Sequence, residues 1–392
     1  MESLYLDHAA TAPVLPDALS AFESAAREHF ANPGSLHQAG ADAARLLEKS
    51  RASLQKSMGA ERYQIVFVGT GTEANFLGIQ GLARSAAQAA AGNGSAKPNR
   101  ILYGAAEHPA AREAACRLRA EGFQVESIPV DSQGLISADS LAQQLSNDVA
   151  LVTIQWANNE IGGLNPLADL VRTVRQLAPQ AIFHTDAVQA AGKRPEWFDQ
   201  LGADAISTAA HKIGGVRGCA ALFLHQDLAH SPIPFFAGGG HENGLRAGTE
   251  NVAGAVAFAE AARIRRERLS EDPSRYHARR EQLIHGILGA WPNAVVLGPT
   301  NSNQIQGSIL SVALPGARAE TLLHQLETYG ILVGSGSACS SKGHTTSPVL
   351  TAMALPTELH NCVLRFSIDG TELEPELQRV RAALAEIRAL HP

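Results

Sequence analysis

Through the first two thirds of the chain, short β-rich apolar runs alternate with longer stretches whose apolar positions recur at helical spacing. The runs occupy residues 64–69, 100–105, 123–130, 150–157, 180–187, 203–209 and 219–225, and helix-length segments at 72–90, 109–121, 138–145 and 166–177 separate the earlier ones. Runs that are apolar throughout mark strands covered on both faces, and a helix-length return between them is what parallel neighbours require. The pattern predicts an α/β fold with a mostly parallel seven-stranded sheet flanked by helices. Pro109 and Pro166 each fit a first helical position, where the missing amide proton does no harm. Residues 86–99, with Gly92, Gly94, Ser95 and Pro98, read as a helix end running into an exposed loop.

The rhythm changes after residue 252. A helix at 252–269 bridges to a second pattern: helix 274–288, strand 307–313, helix 318–329, an apolar segment at 331–334, strand 362–368 and a closing helix at 374–390. This predicts a smaller α+β domain. The expected division is an N-terminal segment 1–15 that joins the small domain or covers the cleft, a large domain 16–255 and a small C-terminal domain 256–392.

Composition narrows the function. The 392 residues suffice for a large core, and a net charge of -6 argues against nucleic-acid binding driven by the charge of the whole chain. Charged residues are 18%, below the roughly 25% usual in soluble domains, with alanine and glycine in their place. Residues 1–12 lack the apolar core of a secretory signal, and no apolar run is long enough to cross a membrane, so a cytoplasmic location is expected. The four cysteines, Cys116, Cys219, Cys339 and Cys362, are widely spaced and show no paired metal-ligand spacing. Neither a metal site nor a disulfide framework is expected. Cys116, Cys219 and Cys362 sit in apolar or helical surroundings and read as small buried hydrophobes, whereas Cys339 lies among glycines and serines, where a thiol is exposed.

Candidate chemistry collects where the predicted strands end. Gly69, Gly71 and Thr72 follow the first and open a helix, an arrangement that suits a phosphate but is also an ordinary tight turn. His108 follows the next, placed to stack on a planar ligand or move a proton, or to serve as a structural hydrogen-bonding residue. Asn158, Asn159 and Glu160 end a fourth strand, to orient a ligand or cap a turn. Asp186 is either a partner for a cationic ring nitrogen or a helix cap, with Gln189 three residues on. Lys212, past a strand and before Gly214 and Gly215, can attack an aldehyde if its surroundings lower its pKa; standing alone, it reads more readily as structural.

As an ordered set these residues resemble the cysteine desulfurases of the class V aminotransferase superfamily, which are fold-type I enzymes dependent on pyridoxal 5'-phosphate (PLP). The resemblance runs through YLDHAAT at 5–11, NPGSLHQAG at 32–40, GTEAN at 71–75, EHPA at 107–110, NNEIGG at 158–163, HTDAVQ at 184–189, HK at 211–212, GGGHENGLRAGTEN at 238–251, GSGSACSS at 334–341 and LRFSI at 364–368. It implies that Lys212 is the Schiff-base lysine, that His108 stacks on the cofactor ring, that Asp186 pairs with the ring nitrogen and that Gln189 bonds the ring oxygen. Gly71, Thr72 and His211 are implied at the phosphate, with Thr249 reaching the phosphate of the neighbouring subunit in a homodimer. Asn159 and Arg365 are implied to hold the substrate L-cysteine, Arg365 by its carboxylate. Cys339 is implied to be the nucleophile that takes the sulfur as a persulfide and passes it to a protein acceptor, an iron–sulfur scaffold or a tRNA-thiolation carrier. No membrane partner and no direct nucleic-acid contact are expected.

Four positions depart from the usual family pattern. Ala209 stands where a phosphate-binding serine is usual, Asn243 replaces a frequent arginine, and Thr70 and Phe76 alter the surroundings of the GTEAN turn. The hydroxyl of Thr208, or a water, is the expected compensation for Ala209.

Overall fold

The computed structural model of the chain describes residues 3–92, 98–236, 238–336, 347–370 and 374–391. Within these residues the strands form two sheets. The chain opens with β1 (Leu4–Leu6), which belongs to the smaller one. The larger comprises β2 (Tyr63–Val68), β3 (Arg100–Gly104), β4 (Gln124–Ile128), β5 (Val149–Thr153), β6 (Ile182–Asp186), β7 (Ala205–Ala209) and β8 (Ala220–His225), in the spatial order β2-β8-β7-β6-β5-β3-β4. All seven runs of the sequence pattern are therefore in one sheet.

Neighbours from β7 to β4 pair in parallel, whereas β8 is antiparallel to both β2 and β7. The reversal follows from the connection. Residues 210–219 are too few for a helical crossover, and the chain turns back through Gly214 (φ 91°) and Gly218 (φ 83°). Two apolar layers cover the sheet, one with Phe183, Ile206, Phe223 and Phe258, the other with Val66, Leu77, Ile101 and Leu222.

Several boundaries shift by a few residues from the sequence pattern: the strand expected at 150–157 ends at Thr153 and the helix expected at 138–145 ends at Ala142. Pro166 is the residue before the helix Leu167–Leu177 and not its first helical position. The helix expected at 72–90 runs from Gly71 to Gly92 but contains a π-helical turn at Leu77–Gly81. At Gly78 an added Cβ would lie 2.7 Å from Cδ2 of His184, so only glycine allows the helix to lie so close on β6.

The smaller sheet adds β9 (Val295–Leu297), β10 (Ile309–Ala313), β11 (Ile331–Ser335) and β12 (Val363–Ser367), in the order β1-β11-β12-β10-β9. Only β1 and β11 are parallel. Helices Arg275–Ala290, Ala319–Thr328 and Glu374–Ala389 belong to this part, and its core includes Trp291, Leu310, Leu326, Phe366 and Leu384. From β1 the chain crosses to the large sheet, where the Ala12 amide donates to the His211 carbonyl and that of Leu15 to Gly214, both at 2.8 Å. The helix Val252–Glu271 joins the two parts, with Ile264 in the core of the large sheet and Leu269 in that of the small one. We propose the division 1–15, 16–255 and 256–392 on this framework, with the second boundary inside the shared helix.

Candidate active site

β2, β3, β5, β6 and β7 point the same way, so their carboxyl ends share one edge of the sheet. The segments leaving that edge line a cavity of about 390 Å³, closed by Ala9 and Ala10 of the N-terminal segment and by Gly336 and Arg365 from the small sheet. Gly71, Thr72, His108, Asn159, Asp186, Gln189, His211, Lys212 and Arg365 all line it. Thr249 is exposed and is not among the lining residues. Cys339 lies outside the described residues; the chain leading to it leaves β11 at Ser335 and enters the cavity wall at Gly336.

Asp186, the last residue of β6, is buried, and its carboxylate is held by two donors. Nδ2 of Asn75 donates to one oxygen (2.7 Å) and the Val188 amide to the other (2.9 Å). Beyond it, Gln189 donates from Nε2 to the Ala9 carbonyl (2.9 Å), while its Oε1 is buried without a partner. His108 precedes the helix Pro109–Arg117, and its Nδ1 accepts from the Ala110 amide (3.1 Å). Burial pushes its pKa down, which favours a neutral ring with the proton on Nε2.

Lys212 ends the short 3₁₀ turn after β7, and its Nζ donates to the carbonyls of Ala9 and, at 2.8 Å, Ala10. The N-terminal segment therefore holds the lysine as well as covering the cavity. Beside it, Nδ1 of His211 bonds Oγ1 of Thr11 (3.2 Å). Burial, then the positive charge of Lys212, push the pKa of His211 down to about 4, so this ring is neutral near pH 7.

At the opposite wall Arg365 is buried on β12. Its Nη1 donates to the Asn159 carbonyl (2.9 Å) and Nη2 to Asp7 Oδ1 (2.7 Å), while Nε is buried without a partner. Gly334 makes room for this pair, since a Cβ there would lie 2.7 Å from Asp7 Oδ1.

Several features fit a phosphorylated pyridine aldehyde. The side chain of Thr70 caps the Glu73 amide (3.1 Å), leaving the Gly71 and Thr72 amides at the open helix end for an anion. A Cβ at Gly71 would lie 3.1 Å from Val188 Cγ2 and 3.4 Å from the Ala209 Cβ, so glycine keeps the cradle open. The fixed carboxylate of Asp186 suits a protonated ring nitrogen, and the partnerless Oε1 of Gln189 and Oδ1 of Asn75 are polar atoms in need of a ligand.

The departures acquire physical reasons. Ala209 lines the cavity with a methyl group. Thr208 does not compensate for it, because its hydroxyl is fully buried and donates to the Ala221 carbonyl (3.1 Å). Asn243 has φ 55° and ψ 32°, in the left-handed region that asparagine tolerates better than most residues. Thr70 is the helix cap, and Phe76 makes an edge contact with Phe235 at 6.3 Å between centroids. Of the other cysteines, Cys219 and Cys362 are buried and Cys116 is half-buried. Burial pushes the Cys219 thiol up to about 12 and raises that of Cys362, opposite to what a thiolate nucleophile needs.

Asp7 and Asn75 were not singled out from the sequence as site residues, because each acts through a partner far along the chain. The available signal for Asn75 was its place one helical turn after Gly71, facing the same cavity. Asp7 carried no such local signal.

The family model for class V aminotransferases matches residues 4–380. A cysteine desulfurase, IscS, from Dictyoglomus turgidum is 33% identical over 393 residues, covering 99% of this chain and 96% of that protein. The cysteine desulfurase NifS of Azotobacter vinelandii is 34% identical, covering 97% of this chain and 91% of that protein. Among solved structures, a NifS-like protein superposes with a TM-score of 0.88 at 30% identity, covering 99% of this chain and all of the other.

Proposed function

Since the chain belongs to the class V aminotransferase family, and within it to the cysteine desulfurases, we propose that the cavity at the sheet edge is where it converts L-cysteine to L-alanine. The sulfur leaves as a persulfide on Cys339. The observation that carries this reading is convergence: Lys212 and Asp186 from the large sheet face the same cavity as Arg365 and Gly336 from the small one. Cys339 is three residues beyond Gly336, a span that covers at most about 11 Å, so its thiol is tethered within reach of a substrate held there.

PLP is the cofactor of this reading: Gly71, Thr72 and His211 would hold its phosphate, His108 its ring, Asp186 its nitrogen and Gln189 its ring oxygen. When bound it supplies an electron sink for negative charge developing on the substrate Cα. Arg365 holds the substrate carboxylate, using the donor that the protein leaves unpaired and exchanging its contact with Asp7. Asn159 lies beside it. Lys212, in addition to holding the cofactor aldehyde, moves the Cα proton. The Cys339 thiolate attacks the substrate sulfur; the S–S bond forms as the Cβ–S bond breaks, the electron pair passes to Cβ, and Cβ takes up a proton. Cysteine and the enzyme thiol thus become alanine and an enzyme persulfide, with no external oxidant. The outer sulfur then passes to a protein acceptor, an iron–sulfur scaffold or a tRNA-thiolation carrier, by thiol exchange.

A homodimer is part of the proposal, with Thr249 serving the partner's phosphate. Its support is the exposure of Thr249 and of the large apolar residues Phe30 (80%), Leu36 and Phe236 (57%). No helix among the described residues is long and apolar enough to cross a membrane, and a cytoplasmic location is proposed.

Replacing the lysine tests the reading. Lys212→Ala is expected to lose the visible absorption of the lysine-bound cofactor and to form alanine more slowly by on the order of a thousandfold. Alanine formation within tenfold of the parent rate would overturn the assignment of Lys212.

A further inference from the structure

The turn that follows β5 does more than present Asn159. Asn158 braces it, accepting at Oδ1 from the amides of Glu160 (2.8 Å) and Ile161 (2.9 Å) while its Nδ2 donates to the Ala106 carbonyl (3.0 Å). Within this braced turn, the Asn159 carbonyl receives Arg365, and the Glu160 carbonyl receives the hydroxyl of Ser311 on β10 (2.6 Å). The side chain of Glu160 is buried. Its Oε2 accepts the hydroxyl of Ser347 at 2.5 Å. The same Ser347 oxygen caps the helix Pro348–Ala352, accepting from the amides of Val349 and Leu350 at 3.2 Å each, so its only proton is directed at Glu160. Gly336 also lies near this oxygen, since an added Cβ there would come 3.4 Å from it.

Gly336 and Ser347 are the described residues that flank the span 337–346, which contains Cys339. One carboxylate therefore bonds Ser347 and lies near Gly336, the residues on either side of that span. It does so from the turn that also holds the arginine assigned to the substrate carboxylate. Burial, opposed by the bond from Ser347 and the charge of Arg365, pushes the Glu160 carboxyl up to about 7. A carboxylic group kept in such surroundings is costly to retain for packing alone.

We propose that Glu160 is a positioning residue for sulfur transfer: through its bond to Ser347, with Gly336 close by, it fixes the residues that flank the span containing Cys339 relative to the substrate held at Arg365. The inference rests on the reading of Cys339 as the nucleophile. Glu160 touches no reacting atom in this role. Its loss should slow the step in which sulfur leaves the substrate while barely changing how tightly cysteine binds.

The test uses the PLP-loaded enzyme with Glu160→Ala, Glu160→Gln and Ser347→Ala. Two quantities are read: the cysteine concentration that half-saturates the spectral change on mixing, and the rate of first-turnover alanine formation. Glu160→Ala and Ser347→Ala are expected to slow the first turnover by about tenfold or more, with half-saturation moving by less than about threefold. Glu160→Gln keeps an oxygen that accepts from Ser347 and is expected to stay within about threefold of the parent rate. A structural role alone would not give rescue by the amide together with unchanged substrate binding. Unchanged first turnover in both disrupting variants overturns the proposal, as does a loss confined to half-saturation, or a glutamine variant as slow as the alanine one. If Glu160→Ala fails to hold cofactor, Ser347→Ala and Glu160→Gln decide. Cys339→Ala separates the two readings: alanine formation that survives in it refutes the nucleophile itself. Its loss there, with full rates in the Glu160 and Ser347 variants, refutes only the positioning role.

Discussion

Ala209 presents a methyl group to the cavity beside Gly71, at the position where the family usually offers a serine hydroxyl to the phosphate. The neighbouring hydroxyl of Thr208 is committed to the Ala221 carbonyl on the buried side of the strand. Alternation along β7 places the two side chains on opposite faces, so no small adjustment brings Thr208 round. Restoring the hydroxyl should therefore tighten the cofactor. Ala209→Ser is expected to lower the dissociation constant for PLP by roughly one to two decades, the worth of a hydrogen bond to a charged group. Equilibrium titration of the apoenzyme checks this, and unchanged affinity would mean that the phosphate is satisfied without the hydroxyl. At this scale the sequence was legible wherever chemistry sits at a strand end: His108, Asp186, Gln189 and Lys212 all face the cavity. It was silent where a residue works through a distant partner. Asp7 meets Arg365, and Asn75 meets Asp186, only because separate strands and helices converge.

Among the elements, each of the seven strands of the large sheet was visible as an apolar run, because burial on both faces leaves little polar alternation. β1 and β9, three residues each, are too short to form a pattern and are defined by their neighbours in the sheet. The π-helical turn at Leu77–Gly81 was likewise hidden, since it goes with a close approach to β6 that no local propensity encodes. The helix Pro348–Ala352 ends in a detail of the same kind. Ala354 adopts φ 53°, with the Leu355 amide bonded back to the Leu350 carbonyl (3.1 Å) and that of Ala354 to Thr351 (3.0 Å). Such a helix end favours glycine, and the exposed methyl of Ala354 loses little by its removal. Ala354→Gly is expected to raise the unfolding free energy by about 1 kcal/mol, read as a higher denaturation midpoint at unchanged slope. A fall in the midpoint would show that the unfolded-state entropy of glycine outweighs the relief of strain.

Taken whole, the molecule brings two sheets to one cavity, and the N-terminal segment ties them together by pairing β1 with β11 and lending the Ala9 and Ala10 carbonyls to Lys212. The large sheet supplies the groups suited to a cofactor, the small one Arg365 and the stem that leads to Cys339. The change of rhythm after residue 252 marked the second sheet, while the sequence left open whether the N-terminal segment joins the small part or covers the cleft, because β1, at three residues, leaves no periodic mark to decide it. The central claim is that sulfur passes from L-cysteine to Cys339, and the mass of the Cys339 peptide tests it most directly. After reaction with L-cysteine in the absence of reductant, that peptide should carry added sulfur, with one alanine formed for each sulfur transferred. Alanine formed in full with an unmodified Cys339 peptide, or with the sulfur on Cys116, Cys219 or Cys362, would contradict it.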